Sequence, residues 1–199
     1  MPDLAPRSGL ETVFAAPATP PAGAPGVTLS LWPDLALASV IARKGQDAAL
    51  AARFRAHFSC DLPRKPQRVE GEGIAFVCTG PGQWLAMAEV RDGHALEKDL
   101  RAKLGPSASV SDQSDGRLVI RVAGPQARAA MQKIVPVDLH PRVFGPGDAA
   151  VTLAAHIGVT LWQTDETPAY AFAVPRSYAQ AFWRGLQEAG AEYGVARVD

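Results

Sequence analysis

From residue 36 onward, apolar stretches of strand length alternate with segments whose apolar residues recur every four positions. "LALASVIAR" reads as a strand, Gly45 punctuates it, and Leu50, Phe54 and Phe58 then mark one face of a helix. "GIAFVCT" and "QWLAMAEV" read as two strands joined by Gly80-Pro81-Gly82, a hairpin signal. Leu96, Leu100 and Leu104 form the stripe of a second helix. Its outer side pairs Glu97 with Arg101 and Asp99 with Lys103, and Gly105-Pro106 stops it. "ASVSD" follows as a further strand. The order is strand, helix, strand, strand, helix, strand.

The second half repeats that order. "RLVIRVA" alternates Leu118, Ile120 and Val122 against Arg117, Val119 and Arg121. Pro125 falls at an expected first helical position, and Met131 shares a face with Ala127. "VTLAAHIGVTLWQ" reads as one extended strand, with Val151, Leu153, Ala155, Ile157, Val159 and Leu161 on one side and Gly158 permitting a bend. "AYAFAV" is its partner. Ser177 and Gln180 form a capping box for a helix with Tyr178, Phe182 and Leu186 inside; Gly190 ends it and "YGVARV" closes as a strand. The expected fold class is α+β, built from two consecutive βαββαβ (ferredoxin-like) units over 36–112 and 117–199 that form one compact domain. "VIARKGQDAALAARF" and "VIRVAGPQARAAMQKI" echo one another faintly, as a duplication would.

Residues 1–35 differ. "FAAPATPPAGAPG" resists helix and sheet, so an extended or disordered N-terminal arm is expected. If ordered, it should lie along a surface, held by Phe14, Leu29, Leu31 and Trp32.

Charge narrows the function classes. The 199 residues carry 20 Lys plus Arg and 20 Asp plus Glu, so nothing offers the cationic surface that nucleic acid requires. The local group Arg64, Lys65 and Arg68 sits among prolines and reads as a solvated loop. No apolar run has bilayer-spanning length and no secretory pattern opens the chain. Cys60 and Cys78 form no metal or redox pair, which suggests a reducing compartment. A cytoplasmic protein free of membrane and nucleic acid is expected.

Candidate chemistry is sparse. In "SDQSDGR", Asp112 and Asp115 could face a hard cation, but they lack the six to eight oxygens calcium takes, and Asp, Ser and Gly suit a tight turn. His57, His94, His140 and His156 stand outside zinc spacings; His156 reads as a structural imidazole within a strand, and His140 as part of a loop network with Asp138 and Arg142. No phosphate-cradling glycine motif or nucleophile elbow occurs. Trp32, Trp84, Trp162 and Trp183 could stack a flat ligand, but core or interface packing explains them as well.

"GPGQWLAMAE", "SVSDQSDGRLVIRVAGPQAR", "PVDLHPRVFGPGDAAVTLAAHIGVTLWQ" and "FAVPRSYAQAFWRGLQEAG", taken in order, resemble the gamma subunit of heterotetrameric sarcosine oxidase over residues 75–190. The resemblance implies a fold like the folate-binding domain of the glycine cleavage T-protein. It implies a complex of alpha, beta, gamma and delta subunits that demethylates sarcosine oxidatively to glycine. Hydrogen peroxide is released and the one-carbon unit passes to tetrahydrofolate. FAD, covalently attached FMN and NAD would belong to alpha and beta, and zinc to delta. This chain is expected to hold no cofactor and to support assembly, so no catalytic, cofactor-binding or metal-ligating residue is assigned. No folate-binding carboxylate carries over to Asp112, Asp115 or Asp138. A stand-alone folate-binding aminomethyltransferase-like protein is the alternative.

Overall fold

The computed structural model describes residues 23–32, 34–89 and 92–198. In chain order their elements are β1 (Val27–Leu31), β2 (Ala36–Ala42), α1 (Asp47–Phe58), β3 (Arg68–Gly71), β4 (Ile74–Gly80), β5 (Gln83–Ala88), α2 (Gly93–Leu104) and β6 (Ala108–Asp112). There follow β7 (Arg117–Ala123), α3 (Ala127–Gln132), β8 (Ala149–Ala154), β9 (Ile157–Asp165), β10 (Ala169–Pro175), α4 (Ala179–Gly190) and β11 (Val195–Arg197). Short 3₁₀ turns precede β6, α4 and β11.

Two sheets result, with strand orders β3-β4-β5-β2-β6 and β11-β1-β7-β10-β9-β8. The first contains the order of a βαββαβ unit, β6-β2-β5-β4, with β3 added at the edge. The second matches it position for position, with β8 at the edge in place of β3. It differs in one respect: β1 is wedged between β7 and β11, antiparallel to one and parallel to the other.

Alternation along the strands explains how the layers stack. On β7, Leu118, Ile120 and Val122 face α3 and α4, whereas Val119 faces the other sheet. Leu37, Val77, Leu85 and Met87 of the first sheet meet Val119, Trp162, Ala171 and Ala173 of the second. On the far side of the first sheet, Leu50, Phe54 and Phe58 of α1 and Leu96, Leu100 and Leu104 of α2 cover it. The molecule is a four-layer stack: helices, sheet, sheet, helices.

Several expectations change. The N-terminal arm was expected on a surface, yet Val27 and Leu29 are fully buried within the second sheet. Glycine makes that possible: a β-carbon at Gly124 (φ +119°) would stand 2.6 Å from the Gly26 carbonyl oxygen. Phe14 lies outside the described residues. "VTLAAHIGVTLWQ" is a hairpin, β8–β9, turning at Ala155 and His156, which have φ of 47° and 65°. Two consecutive left-handed residues make the tight turn that two paired strands require. The capping box does not form either, because a 3₁₀ turn over Arg176–Tyr178 starts α4 at Ala179 and turns Tyr178 outward. Likewise Pro125 precedes α3, in the turn before it. Arg68, expected in a solvated loop, belongs to β3 with its side chain only 16% exposed.

Candidate functional site

The polar knot between the halves closes on itself. Asp112 Oδ1 accepts from Ser114 N at 2.8 Å and from Ser114 Oγ at 2.7 Å, and the Gln113 carbonyl accepts from Gly116 and Arg117. Ser114 Oγ also accepts from Leu37 N at 3.0 Å, tying the connection to β2. Every oxygen of Asp112 named here serves a turn. Among the described residues no group of three or more His, Cys, Asp or Glu side chains is placed to hold a metal ion.

The histidines stand apart from one another. His57, His140 and His156 are exposed, and the His94 side chain is 85% exposed. His140 Nδ1 accepts from Arg142 N at 3.2 Å, while Asp138 accepts from His140 N at 2.9 Å, which is a loop-capping network. His156 occupies the β8–β9 turn and not a strand interior. Burial, with the adjacent Asp61 carboxylate as a smaller cause, pushes the Cys60 thiol up, so it is a weak nucleophile at neutral pH. Trp84, Trp162 and Trp183 are buried in the three cores, and Trp84 donates to the Pro63 carbonyl at 2.8 Å.

Among the openings that the described residues line, two lie where the sheets part. The first, of about 460 Å³, is lined by Trp32, Arg68, Glu70, Met87 and Glu89 among others. Trp32 donates to Glu89 Oε1 at 3.4 Å, and the Arg121 guanidinium lies 5.1 Å from the Trp32 ring centre. Arg68 pairs with Glu70 at 2.6 Å, while its buried Nε has no hydrogen-bond partner among the described residues. Backbone bonds lace the sheets together beside it: Arg68 N to Gly147 O at 2.7 Å and Ala149 N to Pro66 O at 2.9 Å. This mixed charge suits docking of a polar group. The second opening, about 320 Å³, lies between β2 and β9 and is lined by Ser39, Ile41, Gln83, Arg117, Val151 and Thr160 among others.

Sequence reasoning read Arg68 as part of a solvated loop and placed Arg117 and Arg121 on one face of a strand without giving them a role. The signal was present, since Arg117 and Arg121 alternate with Val119 and so share the face that meets the other sheet. A charge flanking an inward apolar position marks the rim of a packed layer.

The paired, helix-covered sheets define the class of fold, and comparison with known proteins defines it further. The aminomethyltransferase T of the glycine cleavage system from Bartonella henselae superposes with a TM-score of 0.66 at 15% identity, covering 87% of this chain and 48% of that one, a likeness of fold. The family described as "Sarcosine oxidase, gamma subunit family" matches residues 43–192, and the chain belongs to that family. Sarcosine oxidase subunit gamma of an Arthrobacter species is 39% identical over 134 residues, 66% of this chain and 62% of that protein's length. Its counterpart in Corynebacterium sp. strain U-96 is 34% identical over 154 residues, 76% of this chain and 72% of the other. A chain of the heterotetrameric sarcosine oxidase from Corynebacterium sp. U-96, solved in complex with pyrrole 2-carboxylate, superposes with a TM-score of 0.81 at 32% identity. That match covers 98% of this chain and 99% of the other.

Proposed function

We propose that this chain is the gamma subunit of a heterotetrameric sarcosine oxidase and contributes structure to the assembly. The observation that carries the reading is the end-to-end likeness to a chain of such a heterotetramer, 98% of one and 99% of the other. In this reading the alpha, beta and delta subunits hold FAD, FMN, NAD and zinc. The complex converts sarcosine to glycine and hydrogen peroxide, with tetrahydrofolate accepting the one-carbon unit. Its place is the cytoplasm. Residues of this chain act by shape: two laced sheets present rims to neighbouring polypeptides, and the difficult electron chemistry stays with the cofactors. Among the described residues no helix is long and apolar enough to cross a membrane, consistent with an assembly of globular subunits.

Co-expression with and without this chain tests the reading. A four-subunit complex that loses stability or oxidase activity when this chain is omitted is the expected result; full activity from the other three alone rejects it. The stand-alone aminomethyltransferase reading rests on fold likeness, a weak warrant for activity. Saturable quenching of tryptophan fluorescence by tetrahydrofolate, in the isolated chain, would revive it.

A further inference from the structure

The second opening has features that no fold requirement explains. On one wall Ile41, near the end of β2, has 45% of its surface exposed; on the other, Val151 of β8 is 58% exposed. Leu153, two residues further along β8 and 55% exposed, lies outside this opening, beside Ile134 and Pro136. These three side chains follow the same alternation as Leu37 and Ala149, which are buried between the sheets. They continue the inter-sheet core beyond the point where the sheets separate. Apolar side chains aligned with a core but left in water lack a covering layer.

The backbone at that rim is unfinished as well. Ala149 N–H points away from β9, to Pro66 O. Strand groups alternate in direction, so Val151 and Leu153 also aim their N–H and C=O groups outward, from a strand that ends its sheet. Arg117 supplies the charge. It lines the cleft, and among the described residues its guanidinium has no ion-pair or hydrogen-bond partner and no acidic side chain lines the opening. Ser39, Gln83 and Thr160 add neutral polar groups.

We infer that this cleft receives an extended segment of another subunit of the oxidase, its apolar side chains against Ile41 and Val151 and a carboxylate on Arg117. The occupant is a polypeptide because a small carboxylate at Arg117 would leave Ile41, Val151 and the β8 edge uncovered. An acidic group is required because a lone arginine in a carboxylate-free cleft attracts anions and repels cations. The inference rests on the subunit reading above and says where one contact of that subunit lies.

Three variants of this chain, Arg117→Glu, Arg117→Lys and Val151→Asp, co-expressed with the other subunits, test it, with Arg142→Glu as an exposed control. Native mass spectrometry and dilution through size exclusion would read the assembly, and thermal melts of each isolated chain would read its folding. Arg117→Glu and Val151→Asp should weaken association at least about tenfold, Arg117→Lys less, and the control not at all, with melts unchanged. Hydrogen exchange at Val151 and Leu153 should slow on assembly of the wild type. Variants that assemble as the wild type does, or exchange that stays fast, overturn the inference and leave the subunit reading intact. A wild-type chain that joins no complex removes both. Loss of a homodimer of the isolated chain in these variants would assign the cleft to a second copy and overturn the choice of partner.

Discussion

Gly93, the first residue of α2, lies directly against the Asp112 carboxylate: a β-carbon there would stand 2.6 Å from Oδ1 and 2.8 Å from Oδ2. It would stand still closer, 2.2 Å, to Ser114 Oγ. The helix start and the connection between the halves are therefore fitted to one another through a missing side chain.

Replacing glycine by alanine in a helix ordinarily stabilises it, by about 0.5–1 kcal/mol. Here Gly93→Ala should do the opposite, because either the Asp112–Ser114 turn or the first turn of α2 must move. A loss of about 1–3 kcal/mol is expected in denaturant unfolding, the usual cost of overpacking a closed site. Gly158→Ala is the control, since nothing lies within 4 Å of its added methyl group; it should change stability by no more than about 0.5 kcal/mol. Equal effects from the two substitutions would mean that the close packing at Gly93 is not real.

The wedge strand gives a second prediction. Leu29 on β1 is fully buried among Ile120, Val122 and the side chains of α3 and α4. Leu29→Ala should cost about 2–5 kcal/mol, as large-to-small changes in a core do. Leu31→Ala, at the partly exposed end of the same strand, should cost much less. Chemical denaturation of both variants checks the ordering. If β1 were only a tether laid over the surface, the two costs would be similar and small.

The wedge also shows what the sequence could convey. Periods of two and four residues revealed the buried faces of α1 and α2, because each packs on its own half with local logic. Leu50, Phe54 and Phe58 needed no knowledge of anything distant. β1 was different: Val27 and Leu29 pair with residues 93 positions away and more, and no local pattern encodes such a partner. The hairpin within 149–165 was concealed for another reason. Ala155 and His156 take left-handed backbone without glycine, so the usual turn signal is missing. As for the clefts, their arginines alternate with apolar residues as any amphipathic strand does. Only the stacking of two sheets tells which face is a rim.

An edge strand needs protection, and Arg101 gives it to β6. From α2 its Nε and Nη2 donate to the Val110 carbonyl at 3.3 and 3.0 Å, and Nη2 also pairs with Glu97 at 2.7 Å. Because β6 ends its sheet, that carbonyl would otherwise be open to another chain. Arg101→Ala should lower stability by about 1–2 kcal/mol, and should raise light scattering of the concentrated protein during mild heating. Arg101→Lys keeps the charge but cannot make both bonds, so it should restore solubility and only part of the stability. Unchanged scattering in Arg101→Ala would show that the β6 edge is covered by something other than this guanidinium.

The last prediction concerns Tyr170, which is fully buried on β10 while its hydroxyl makes no well-formed hydrogen bond among the described residues, meeting only the nearby Arg128 guanidinium. Burial pushes its phenol up from the ordinary tyrosine value, and Arg128, by weak hydrogen bonding first and charge second, offsets only part of the rise. The sign follows from the direction. In the unfolded chain the phenol ionises near pH ~10, whereas in the folded protein it stays neutral to higher pH. The stability it contributes is therefore complete below that unfolded value and is lost as pH rises through the folded one. Tyr170→Phe removes both the titration and an unsatisfied polar atom while keeping the ring. It should match or exceed the wild type at neutral pH, and its unfolding free energy should fall less steeply above pH ~10. Urea titrations of the two proteins at several alkaline pH values would compare the slopes. A Tyr170→Phe protein that is clearly less stable at neutral pH would mean that the hydroxyl has a partner after all, with Arg128 the first to examine.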